Sequence, residues 1–158
     1  MATSVGSANG HYNFDDRKMG WFNLGDFKHF VFSMYDIDRE RRVVDFIVKF
    51  EPNEQIFLHR HLALTNTLVV QGEHRLYEPD GRLKEIRPTG SYTSTPPSEP
   101  HREGGGNEGA VVFYSVRAGA GEVLFEVLDD KLKVVGTLNM ADFEGALEDQ
   151  KKFRSQQA

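Results

Sequence analysis

Cysteine is absent from the 158 residues. That excludes a disulfide framework and thiolate metal ligands, so any metal must rest on His, Asp or Glu. No apolar run approaches the roughly 20 residues of a membrane span. Residues 1–10 carry no basic end followed by an apolar stretch, so no secretory leader is expected either. An excess of basic charge is also missing: 19 Lys and Arg stand against 24 Asp and Glu, for a net charge of −5. Nucleic acid or an anionic membrane would need a basic face, so neither is expected as a partner. These absences together predict a cytoplasmic protein with small partners.

What is present is ordinary globular material. Apolar residues make up 39% of the chain, and 15 glycines bring it to the usual level for a folded domain. The length suits one compact domain rather than two. Residues 1–18 are mostly small and polar and are expected to form a loose tail, because they bring little apolar surface to offset the entropy of ordering.

Residues 19–138 read as an all-β barrel or sandwich: short stretches rich in Val, Ile, Phe and Tyr alternate with Gly, Pro, Asn and Asp. His29 to Ile37 and Val43 to Phe50 flank a charged turn and predict a hairpin. Further strands are expected at 56–62, 67–71, 74–77, 82–86, 91–95, 110–116, 122–128 and 133–138. Pro79-Asp80-Gly81 and Pro52-Asn53 supply turns, the latter with positive φ at Asn53. Residues 139–158 predict a C-terminal helix packed on the barrel. Asn139 would be its cap, and Phe143, Ala146 and Leu147 would lie on one face.

The sharpest chemical signal is His59-Arg60-His61 inside an apolar stretch. The two-residue period of a strand sends both imidazoles to one face and Arg60 to the other, with Phe57 on the side of the imidazoles. His101 follows Pro96-Pro97 at the mouth of another expected strand, where closure of the sheet can bring it alongside. Three imidazoles on one side of a divalent ion leave open positions, an arrangement suited to zinc, iron, nickel or manganese. His11, His29 and His74 are expected in the tail, on a strand surface and in a turn. Gly104-x-Gly106-x-x-Gly109 matches the dinucleotide fingerprint as a string. The order strand, fingerprint, helix is missing, so the segment is expected to be a flexible loop or lid beside the site.

These residues resemble the two motifs of the cupins. The first motif is a glycine, five residues, His-x-His, three or four residues, a glutamate and a later glycine; here it reads Asn53, His59-x-His61, Asn66 and Gly72. The second is a glycine, five residues, Pro-x-Gly, two residues, His, three residues and Asn; here it reads Gly90, Pro96-x-Ser98, His101 and Gly105. The spacing is kept, while Asn66 stands where most cupins place a ligating glutamate. The resemblance implies a jelly-roll barrel, a homodimer and one divalent metal on His59, His61 and His101.

The pattern is similar to the three-histidine branch that includes the acetylacetone-cleaving (β-diketone) and 2,4'-dihydroxyacetophenone dioxygenases. That likeness implies Fe(II), a small carbonyl substrate and dioxygen. With no carboxylate ligand the ion would keep its full double charge and favour an anionic enolate. Asn66 could be a plain strand residue, a hydrogen-bond partner of the site or a fourth ligand through its amide oxygen. If Asn66 faces inward, Leu68 and Val70 do too, and with Phe57 they would line an apolar pocket. Glu99 could supply a carboxylate from the loop before His101, and Gln71, Tyr92 and Tyr114 are further polar candidates around the site. Competing readings are a non-catalytic ligand-binding or sensory cupin and a cupin-type sugar isomerase. No Lys and Arg cluster near the motifs favours the isomerase.

Overall fold

The computed structural model describes residues 2–3 and 12–158. Most of the first eleven residues, His11 among them, lie outside the described residues. From Phe14 onward the chain touches the sheet: the Phe14 amide donates to Gln71 Oε1 at 3.2 Å, and Lys49 Nζ pairs with Asp16.

Nine strands and one helix follow: β1 Phe30–Asp38, β2 Val43–Phe50, β3 His59–His61, β4 Leu64–Tyr77, β5 Leu83–Pro88, β6 Tyr92–Thr95, β7 Arg102–Arg117, β8 Val123–Leu128, β9 Val134–Asn139 and α1 Met140–Gln156. The larger sheet runs β1-β2-β7-β4-β5, with β6 also beside β4; the smaller runs β3-β8-β9. Every paired strand is antiparallel. Alternation explains the core: Val44, Phe46, Val48 and Phe50 of β2 point inward while Lys49 is exposed between them. They meet Val112, Tyr114 and Val116 of β7 and, from the smaller sheet, Leu124 and Phe125 of β8.

The expected hairpin forms, and Asn53 has φ 58° as its turn requires. Two expected features differ. The stretches at 67–71 and 74–77 are one strand, β4, because register shifts near Val70 and Glu73 absorb extra residues without breaking the ladder. The glycine-rich segment is not a lid but the first half of β7. A Cβ on Gly104 would fall 2.0 Å from the Glu54 carbonyl oxygen, so glycine is there for close backbone approach.

Helix α1 begins as expected. The Asn139 side chain accepts from the Asp142 amide, and Asp142 accepts from the Asn139 amide in a capping box. Phe143 packs its ring 5.4 Å from Phe46 and 5.9 Å from Phe125. The helix is also tied to edge strand β1 by a buried amide. Gln150 Oε1 accepts from the Met34 amide and Gln150 Nε2 donates to the Met34 carbonyl, both at 2.8 Å. Gln150→Ala leaves both backbone groups buried without partners, and is expected to cost about 2–4 kcal/mol in urea unfolding with the slope unchanged. None of the described helices is long and apolar enough to cross a membrane.

Candidate metal centre

Strand β3 is only three residues long, yet it sets the centre. Its pairing with β8 places Arg60 opposite Glu126, and the two side chains form an ion pair facing away from the core. His59 and His61 therefore point inward together, as the two-residue period requires. His101 joins them through backbone: its amide donates to the His59 carbonyl at 2.9 Å and accepts in return through its own carbonyl at 3.0 Å. The three rings lie with centroids 4.7 to 5.1 Å apart and are all buried.

A fourth group completes the cluster. Two residues beyond His101 on the same face, Glu103 reaches in from β7, only 4% exposed. Its Oε2 is 2.7 Å from His59 Nε2, 3.5 Å from His61 Nε2 and 3.7 Å from His101 Nε2, while the Nε2 atoms of His59 and His61 are 3.1 Å apart. The other carboxylate oxygen, Oε1, accepts from the Tyr114 hydroxyl at 2.6 Å and from His74 Nε2 at 2.8 Å.

The donor set fits a divalent cation. His59 Nδ1 donates to the Phe57 carbonyl and His101 Nδ1 to the Glu99 carbonyl, both at 2.9 Å. Those bonds fix the tautomer, so in the neutral rings the Nε2 lone pairs face one carboxylate oxygen and repel unless a cation lies among them. With bonds of about 2.1 Å, neighbouring ligand atoms sit about 3.0 Å apart around an octahedral ion and about 3.4 Å around a tetrahedral one. The observed separations straddle both values, and one ligand atom from each residue falls within a 4.8 Å span.

Burial and mutual contact shift the titration of these groups. Burial pushes the His61 ring down to about 4, so it is neutral and able to bind metal at physiological pH. Burial alone would raise the Glu103 carboxyl, but the four imidazoles around it, those of His101, His59, His61 and His74, outweigh it and hold the group well below the usual carboxylate range. His101 is drawn down by burial, but Glu103 and the Glu99 carbonyl together outweigh it, with a net rise. Burial, reinforced by the neighbouring Glu103 charge, raises the Tyr114 phenol well above its ordinary value, which keeps it a donor.

An apolar cavity of about 80 Å³ opens beside His59 and Glu103. Phe57, Phe46, Phe125, Tyr114 and, from the helix, Phe143 are among its walls. One water needs only about 10–15 Å³, so the space suits a small organic molecule.

The expected site residues therefore divide. His59, His61 and His101 come together, and Phe57 lines the cavity. Asn66 is buried in β4 with Oδ1 unpartnered, and neither it, Leu68 nor Val70 lines the cavity. Ala63 and Val69 belong to the core, so the odd-numbered face of β4 turns inward there and Asn66 and Leu68 fall on the other. Tyr114 does reach the centre. Tyr92 and the Glu99 side chain are exposed, and Gln71 binds the N-terminal segment instead. Glu103 adds a buried carboxylate to the cluster, where the sequence led to the expectation of imidazoles alone. His74, expected in a turn, is wholly buried in β4 and stacks on Phe50. The signal for Glu103 was available in the sequence: His101-x-Glu103 has the spacing of His59-x-His61.

Comparison with solved structures decides the fold. A cupin from Ralstonia eutropha matches with TM-score 0.68 at 18% identity, covering 84% of this chain and 82% of the other. An acetylacetone dioxygenase from Acinetobacter johnsonii matches with TM-score 0.68 at 11% identity, covering 94% and 97%. The chain has the cupin fold. A polyketide cyclase from Streptomyces resistomycificus is a further match to this fold, with TM-score 0.54 at 17% identity over 83% and 86%. No protein-family model and no curated protein matches the sequence. Within this fold the candidate centre sits inside the barrel, on β3, His101 and the start of β7, with the cavity between it and α1.

Proposed function

We propose that this cupin is a metal-dependent dioxygenase that cleaves a small β-diketone-like or hydroxyketone molecule, with Fe(II) held by His59, His61, His101 and Glu103. The observation that carries the reading is the convergence of those four buried donors on one point at the end of an apolar cavity. A bound divalent ion would supply Lewis acidity toward the oxygens of a deprotonated carbonyl compound and activate that compound toward dioxygen. Four protein donors leave two neighbouring positions on a six-coordinate ion, enough for one chelating enolate. Glu103 lowers the charge such an ion presents, so recognition leans more on shape and apolar contact than an all-imidazole site would.

The side chains of this protein have separate tasks in that scheme. Phe57, Phe46, Phe125 and Phe143 exclude water and accept the hydrocarbon part of the substrate. The backbone carbonyls of Phe57 and Glu99 orient two of the imidazoles. The structural likeness to an acetylacetone dioxygenase supports the choice of reaction.

Oxygen-electrode assays of Fe(II)-loaded protein with a panel of small β-diketones and hydroxyketones test the proposal. Uptake of one dioxygen per substrate cleaved is expected with at least one compound. Protein that carries zinc as isolated and consumes no oxygen with any of them when iron-loaded would instead favour a ligand-binding or sensory role.

A further inference from the structure

The outer side of the Glu103 carboxylate is unusually well occupied. Both donors on Oε1 are buried, His74 completely and Tyr114 at 3% exposure. A carboxylate oxygen accepts about two hydrogen bonds in directions set by its lone pairs, and Tyr114 and His74 fill both. Oε2, by contrast, faces the three imidazoles.

His74 has no other polar business. Its Nδ1 is buried without a partner, and its ring lies 5.4 Å from Phe50 in a stacked arrangement. A polar side chain in the core that leaves one ring nitrogen unsatisfied is costly, so a single strong bond to Glu103 must justify its presence. Tyr114 is held from the other side, stacked on Phe46 at 5.0 Å with the rings nearly parallel. Neither donor can swing away without disturbing packed aromatic neighbours.

We propose that His74 and Tyr114 are positioning residues that clamp Glu103 as a one-oxygen ligand, thereby keeping two neighbouring positions on the bound ion open for a chelating substrate. A free carboxylate can bind a divalent ion through both oxygens. Occupation of Oε1 by two buried donors forbids that mode. Without the clamp, Glu103 turns to chelate the ion, and one of the two open positions is lost. The inference rests on the reading that the four-residue cluster binds a divalent ion.

The test uses the full chain loaded with Co(II), whose visible absorption reports coordination number. Two probes are titrated: acetohydroxamate, which needs two neighbouring positions, and azide, which needs one. Wild-type protein is expected to bind both. In the His74→Phe, Tyr114→Phe double variant, acetohydroxamate binding is expected to weaken about tenfold or more, in the range seen when outer partners of metal ligands are removed. Azide binding is expected to change little, and the Co(II) spectrum should shift in the absence of either probe.

Tyr114→Phe alone keeps the aromatic stack and serves if the double variant folds poorly; it should give a smaller change in the same ratio. An unchanged ratio of the two affinities in a folded, Co(II)-loaded variant overturns the clamp while leaving the metal site intact. Equal weakening of both probes also overturns it, since that marks general damage to the site. Failure of wild-type protein to take up Co(II) overturns the underlying metal reading instead.

Discussion

Glu103→Gln is expected to weaken divalent-metal binding by more than about 100-fold in a chelator-competition titration, because loss of an outer partner alone costs about 10–100-fold. The substitution keeps shape and volume, so the cavity wall and the packing of Tyr114 on Phe46 should persist. What disappears is the one negative charge among the four donors. Three neutral imidazoles would then face a cation with no carboxylate to offset it. His74 and Tyr114 would also exchange a charged acceptor for a neutral one, a weaker hydrogen bond by roughly half. Affinity close to that of wild type would show that Glu103 is only a hydrogen-bond partner of the imidazoles.

His101→Ala is expected to remove most of the metal, again by at least about 100-fold in affinity, while the fold survives. The reason lies in how residue 101 is held. Its two bonds to His59 are made by backbone and remain with alanine in place. Its ring makes one hydrogen bond of its own, to the Glu99 carbonyl, and otherwise faces the other donors. Circular dichroism should therefore be unchanged while metal content measured by elemental analysis falls. Retention of full metal would exclude His101 as a ligand.

Much of this arrangement was legible in the sequence where local physics decides the outcome. The β1–β2 hairpin followed from two apolar stretches around a charged turn, and the helix cap from Asn139 just before a stretch with Phe143, Ala146 and Leu147 on one face. His59 and His61 shared a face because a strand has period two, which needs no knowledge of the rest of the fold. The same rule applied to His101-x-Glu103 would have delivered the carboxylate. Three glycines directly after Glu103 mimic a loop in sequence, whereas in the folded chain Gly104 lets β7 pass close to Glu54, and Gly105 and Gly106 lie against Gly109 and Glu73. Position in the family motif drew attention to Asn66 instead. Parity argued against it: His59, His61, Ala63 and Val69 all turn inward, although β3 and β4 lie in different sheets, so even-numbered Asn66 falls on the other face.

His74 was hidden for a related reason. Charged neighbours on both sides, Glu73 and Arg75, give it the look of an exposed turn. Two register shifts in β4, which depend on how that strand meets β7, set His74 opposite Gly105 with its ring toward Glu103. Long-range pairing of this kind has no local signature.

Anomalous diffraction from a crystal of the metal-loaded protein tests the central claim most directly. The account predicts one strong peak about 2.0–2.2 Å from Nε2 of His59, His61 and His101 and from Oε2 of Glu103. A peak bound elsewhere, with Glu103 still bonded directly to His59 and no density among the three imidazoles, would contradict it.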